Sequence, residues 1–402
     1  LGLATAEARR AWAIQKSKGI QQRRFELRDD VGAFEDARIK DAIERYLGTC
    51  RATLRERTVR AYSDSLRHFT EWTERMGISR TSQITRRVLA RFREFLMGLP
   101  NGRSVRGGKR GARAATDKPR SPRTINRDQD ALRTAMNYLA RCDLLPSLNR
   151  HRINDVLRDV EQPQPAPKFL SFASARKLLE AAIAHDAAVF KMTRREKEGR
   201  LVPGRMPRHV AIAPITLLLL FSGMRRGEAL ALRWEDVDLD ARDEHGNVSG
   251  ELRIAAASTK TKSGRVVDLA VSPVLRRLLI ELRARSRGEG LVFEGLTDDI
   301  LVTAQRRLIR DYGAPRFCWQ ELRSTCATVL TNAPAIFGSA AVFRSARQLG
   351  HGVQVAERFY LNVLRGIPET ARSVEAALQV EDLAERVVAQ VEARTVGDTT
   401  AA

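Results

Sequence analysis

Apolar residues recur at intervals of three and four through most of the chain, which predicts helices. Val59, Tyr62, Leu66, Phe69, Trp72 and Met76 make one stripe, and Val88, Leu89, Phe92, Phe95 and Leu96 make a second. A third, Ile125, Leu132, Met136 and Leu139, follows Ser121-Pro122, a capping residue with Pro at the first helical position. Residues 36–160 therefore read as all-helical, and their stripes as core. Further on, Ser171 caps a helix over Leu178, Leu179 and Ala182, and the apolar run 210–221 predicts a buried helix. The period then changes. Glu251–Ile254 and Arg265–Leu269 read as short strands joined through Thr259-Lys260-Thr-Lys262-Ser-Gly264, a hairpin with a Gly turn, and Leu291–Phe293 as another strand. Helices follow, ending in an amphipathic stretch over 373–391 with Val374, Leu378, Leu383, Val387 and Val391 on one face.

Glu161-Gln-Pro-Gln-Pro-Ala-Pro167 interrupts the pattern; its prolines favour a stiff, extended linker. The expected organisation is a basic helical arm (1–35), a helical domain (36–160), a linker (161–168), a mixed α/β domain (169–372) and a C-terminal helix and tail (373–402). With 402 residues and 43% hydrophobic content, the chain is long enough for two or three domains.

Charge narrows the function. Seventy Lys and Arg against 48 Asp and Glu give a formal net charge of +22, which points to a polyanionic partner. The basic loop after Gly102 cannot pack, and a phosphate backbone would relieve its self-repulsion. Arg103, Arg106, Lys109, Arg110, Arg113, Lys118 and Arg120 are its expected DNA contacts. A second basic insert spans Lys191–Lys197. The longest apolar run, Val210–Met224, is too short to span a bilayer and is broken by Pro214, so no membrane partner is expected. Four cysteines without CxxC spacing indicate neither zinc nor a disulfide framework, and no secretory signal is visible; a reduced, cytoplasmic protein is expected. Residue 1 is Leu rather than Met, consistent with residues missing ahead of it.

The candidate chemistry sits in the second half. Gly223 permits a sharp turn, Arg225 starts the next helix, and Glu228 three residues on can orient its guanidinium. Lys260 and Lys262 lie near a hairpin tip. Gln320-Glu-Leu-Arg323 opens a helix, Leu349-Gly350-His351 follows a loop, and Tyr360 comes nine residues after the His, in a stretch that reads as less regular. A phenol with a pKa near ~10 is a poor nucleophile at neutral pH unless cations stabilise its oxyanion. An Arg, a His and a Tyr in one region suit phosphoryl transfer.

Taken together, Gly223-Met-Arg225-Arg-Gly-Glu228, a hairpin Lys, Leu322-Arg323, Leu349-Gly350-His351 and Tyr360 resemble the tyrosine recombinase (phage integrase) family over residues 36–375. The resemblance implies a mainly α fold with a small β-sheet: a helical core-binding domain and a mixed α/β catalytic domain, closing on DNA as a C-shaped clamp. It implies that Tyr360 attacks a DNA phosphate to give a 3′-phosphotyrosyl bond, with Arg225 and Arg323 on the non-bridging oxygens and His351 hydrogen-bonded to the phosphate. The hairpin lysine would be the general acid; alignment favours Lys260, with Lys262 as a phosphate contact. Gln320 stands where the family commonly has His, so it can donate a hydrogen bond but not shuttle a proton. The implied partners are double-stranded recombination sites, a homotetramer assembled on DNA from free monomers, and accessory DNA-bending proteins, at the nucleoid. No metal or cofactor is implied; by resemblance the tail helix docks on a neighbouring protomer, while its stripe could equally pack on its own protomer, and the pattern does not decide between them. A type IB topoisomerase, or a sequence-specific DNA-binding protein with a weakened site, are the alternatives.

Overall fold

The computed structural model describes Ile14, Ser17 and residues 35–100, 119–162, 168–189, 210–243, 245–255, 264–361, 364 and 366–399. The expected basic arm (apart from three positions), Arg103, Arg106, Lys109, Arg110, Arg113 and Lys118, most of the Pro-rich linker, the 191–197 insert, and both hairpin lysines, Lys260 and Lys262, lie outside the described residues. The chain divides into two compact units, Leu1–Gln164 and Pro165–Ala402.

In the first unit the described residues form helices α1 (Ile39–Thr53), α2 (Glu56–Arg75), α3 (Arg86–Gly98), α4 (Pro122–Arg141) and α5 (Arg150–Val156). The predicted stripes are its core: Leu66, Phe69, Leu89, Phe92, Leu132 and Met136 are buried, with Phe69 edge-on to Phe92. Ser121 caps α4 by accepting the Thr124 N–H, with Pro122 in the first turn. Met76 departs from its stripe. It lies one residue beyond α2 and is exposed. Arg120, expected at a DNA contact, has its guanidinium buried 2.8 Å from the Asp128 carboxylate, which also accepts from Ser65. A buried carboxylate needs a cation, and Arg120 supplies it.

The second unit runs α6 (Phe172–Val189), α7 (Ala213–Ser222), α8 (Arg226–Leu230), β1 (Val237–Asp238), β2 (Glu251–Ile254), β3 (Arg265–Asp268), α9 (Pro273–Ser286), α10 (Asp298–Asp311), α11 (Trp319–Asn332), α12 (Pro334–Phe337), α13 (Ala341–Leu349), α14 (Val353–Tyr360), α15 (Val374–Ala377) and α16 (Glu381–Thr399). Helix α7 is apolar all round because every residue in it is buried. Its buried first turn has amides with no partner in the helix, and the buried Asp186 carboxylate accepts from the N–H groups of Ile212 and Ala213. The sheet is antiparallel in the order β1-β2-β3, with Glu251 opposite Asp268 and Ile254 opposite Arg265.

Two expectations change, and one choice left open is decided. Residues 291–293 are not a strand; Leu291 makes one isolated bridge to Arg233, and the segment turns. The 373–391 stretch is two helices, broken at Gln379, which takes a φ of 57°. Its apolar face, which could pack on its own protomer or, by resemblance, on a neighbouring one, is buried in its own unit, with Val374, Leu378, Leu383, Val387 and Val391 in the same core as α7 and α9. Among the described residues no single helix is long and apolar enough to cross a membrane.

Candidate active site

The buried helix α7 ends at Gly223, whose φ of 64° turns the chain sharply into α8. A Cβ there would overlap the end of the Leu349 side chain, which would have to move, and the left-handed backbone itself favours glycine. The turn places Arg225 at the N-cap of α8. Its Nη1 donates to Glu228 Oε1 at 2.8 Å and its backbone N–H to Oε2 at 2.9 Å, while the guanidinium stays 26% exposed. The predicted (i, i+3) pairing is thus made by side chain and backbone together.

Arg323 is held differently. It sits in the second turn of α11 and is 5% exposed. One Nη donates to the Gly223 carbonyl at 2.7 Å, the other to the Leu349 carbonyl at 2.6 Å. Two helix ends therefore orient one fork. Burial, then the charges of Arg225 and Arg265, push Arg323 down to about 10, although Glu228 and Tyr360 oppose the shift. Gly223 lies two residues before Arg225 and Leu349 two before His351, so these two bonds place Arg323 beside both segments.

Helix α13 closes at Gly350, with a φ of 67°, and the Gly350 and His351 amides both return to the Ala346 carbonyl. His351 follows immediately. Its Nδ1 lies 3.2 Å from the Gly352 carbonyl, which can only accept, so Nδ1 carries the hydrogen and Nε2 presents a lone pair. Nε2 is buried, with no hydrogen-bond partner among the described residues. Burial, together with Arg323, Arg225 and Arg265, holds this imidazole below the usual histidine range despite the Gly352 contact.

Tyr360 is the last residue of α14, not part of an irregular stretch as the sequence suggested. Its ring stacks on His351 at 5.7 Å between centroids and 30° between planes. Its carbonyl accepts from Asn332 Nδ2 at 2.6 Å. Helix α11 thus carries Arg323 near one end and fixes the Tyr360 backbone at the other. Gln320 lies in the first turn of α11 and is exposed.

The sequence reading missed Arg265. It was placed only as the first residue of a strand, yet its guanidinium is 6% exposed and pairs with Glu228 at 2.6 Å. The signal was the pleat: in β3, Val266 is exposed while Arg265 and Val267 share the inward face. Glu228 thus serves two guanidiniums. Burial alone would raise its pKa, but the hydrogen bonds from Arg265 and from the Arg225 amide and side chain outweigh this and hold it at about 2. Among the described residues no group of three or more His, Cys, Asp or Glu side chains is placed to hold a metal.

No family model matches the sequence, and no curated protein sequence matches it. Solved structures do. The chain is similar to a fragment of lambda integrase crystallised as a dimer bound to a COC′ core site, with 14% identity over 82% of this chain and 98% of that one and a TM-score of 0.52. It is also similar to a lambda integrase dimer on a COC′ core site, with 14% identity over 89% of this chain and 88% of that one and a TM-score of 0.52. The chain has the fold of these integrases, mainly helical, with one small antiparallel sheet among the described residues.

Proposed function

We propose that this protein is a site-specific DNA recombinase or integrase that cleaves and rejoins strands through a 3′-phosphotyrosyl intermediate. The observation that carries the proposal is geometric: Arg323 is held on the Gly223 and Leu349 carbonyls, beside the segments that carry Arg225 and His351, and His351 stacks on Tyr360. In the proposed reaction the Tyr360 oxygen attacks a DNA phosphorus, the bond to the 5′-oxygen breaks, and the phosphodiester energy is kept in the new tyrosyl bond. The phenolic proton passes to Nε2 of His351, which then donates to a non-bridging oxygen. Arg225 and Arg323 neutralise the charge that builds on those oxygens, which planar forks do better than point charges. The departing 5′-oxygen takes a proton from Lys260, with Lys262 on the adjacent backbone. Gln320, exposed at the start of α11, donates a hydrogen bond to the same backbone.

The partner is double-stranded DNA, matched by the net charge of +22. The first unit acts as a core-binding domain. Lambda integrase was crystallised as a dimer on a core site. By extension, four protomers act on two sites here, joined by contacts other than the buried apolar face of α16.

The test uses the purified protein and DNA carrying the junction sequences beside its gene. A nicked substrate whose cleaved fragment diffuses away should trap a covalent protein–DNA adduct, and two intact sites should exchange strands. Binding without an adduct would contradict the enzyme assignment. Relaxation of supercoils without exchange would make the protein a topoisomerase.

A further inference from the structure

Arg265 is the first residue of β3, five residues beyond Lys260 in the chain. Its Nη1 and Nη2 donate to Glu228 Oε1 and Oε2 at 3.1 and 2.6 Å, and its Nε donates to the Gln348 carbonyl at 3.1 Å. The Gln348 side chain in turn takes up both backbone groups of Asp268 at the far end of the strand: Oε1 accepts its N–H at 3.0 Å and Nε2 donates to its carbonyl at 2.9 Å. Strand β3, an edge of the sheet, is therefore stapled to α13 at both ends. Gly350 belongs to the same arrangement, since a Cβ there would come within 2.7 Å of Arg265 Cδ.

How each guanidinium is used separates its role from that of Arg225. Arg225 gives its carboxylate partner one Nη contact and is 26% exposed, so most of its fork remains for a phosphate. Arg265 turns Nε and both Nη groups to protein acceptors and is 6% exposed. We propose that Arg265 is a positioning residue: it divides the Glu228 carboxylate with Arg225, so that Glu228 aims the Arg225 fork without capturing it, and it docks the hairpin strand on the turn that carries His351. The proposal rests on the recombinase reading above. The physical reason is that a buried carboxylate left with one cation draws that cation fully onto itself, whereas one shared with a second cation leaves hydrogen-bonding capacity on Arg225.

The experiment is single-turnover cleavage of the nicked substrate, with DNA affinity measured separately, for wild type, Arg265→Gln, Arg265→Lys, Arg225→Lys and the Arg225→Lys/Arg265→Gln double variant. The Arg265 variants should cleave about 10- to 10²-fold more slowly with DNA affinity within about twofold of wild type, because the group acts on the transition state and not on binding. The double variant should be less than about threefold slower than Arg225→Lys alone, because the two residues act through one carboxylate. Should Arg265→Gln fail to fold, Arg265→Lys decides, since it keeps the charge and loses the fork. Cleavage at the wild-type rate, multiplicative effects in the double variant, or a loss of affinity matching the loss of rate would each overturn the proposal. Absence of an adduct in the wild type would instead overturn the recombinase reading.

Discussion

Arg225 and Arg323 carry the same group but are held by different partners, and this sets what each offers a phosphate. Arg225 leans on a carboxylate from a half-open position, whereas Arg323 is buried on two carbonyls that leave its charge unneutralised. On the proposed mechanism both stabilise charge that appears only in the transition state. Arg225→Lys and Arg323→Lys should therefore each slow single-turnover cleavage by about 10²-fold or more while leaving DNA affinity nearly intact. Near-normal cleavage in both would reduce the two arginines to backbone contacts. Glu228 makes a separate prediction through pH. Its carboxyl is held at about 2, below the ordinary carboxylate range, so its pairing stabilises the fold above the unfolded value and is lost as pH falls toward 2. The denaturant midpoint of wild type should exceed that of Glu228→Gln by a gap that is widest above about pH 5 and narrows toward pH 2. A gap independent of pH would mean that the charge is not what matters. The Arg225–Glu228 pair was legible because (i, i+3) spacing fixes it locally. Arg265 was not, because its partners are 37 and 83 positions away and only the fold brings them together.

Helices were the most legible elements, because a buried face imposes its period directly on the sequence. The stripe at Leu66, Phe69 and Trp72 became α2, and Ser121-Pro122 began α4. Elements whose form depends on distant partners were not legible. The apolar triplet 291–293 has strand composition but finds only one bridge partner, and the final stripe breaks where Gln379 turns left-handed. The stretch before Tyr360 is helical, although Ala356 is its only buried residue. Two predictions belong to elements. Gly223→Ala should cost roughly 1–3 kcal/mol of stability, since the added methyl meets Leu349 at 2.3 Å in a left-handed backbone. It should also slow cleavage, because the Gly223 carbonyl orients Arg323. Thermal melting and single-turnover rates check both; a variant as stable and as active as wild type would show that the two helix ends can part. The hairpin supplies the other. Lys260→Ala should be rescued by a substrate with a 5′-bridging phosphorothiolate, whose sulfur leaves without needing a proton. Rescue of Lys262→Ala in its place would transfer the acid role to Lys262.

At the scale of the molecule, net charge and the prolines after Glu161 pointed to a polyanion and to two parts, and the chain forms two compact units. Where the C-terminal stripe would pack could not be read from its pattern, since an apolar face is the same whether it meets its own core or a neighbour's. Here it meets its own. On the proposed mechanism Tyr360 becomes covalently joined to DNA. The most direct measurement is mass spectrometry of the protease-digested adduct from a nicked substrate, run for wild type and for Tyr360→Phe. The account predicts a nucleotide-modified peptide with the phosphate on Tyr360 in the wild type, and a variant that binds DNA equally well yet forms no adduct. An adduct surviving in Tyr360→Phe, or a modified peptide lacking Tyr360, would contradict it.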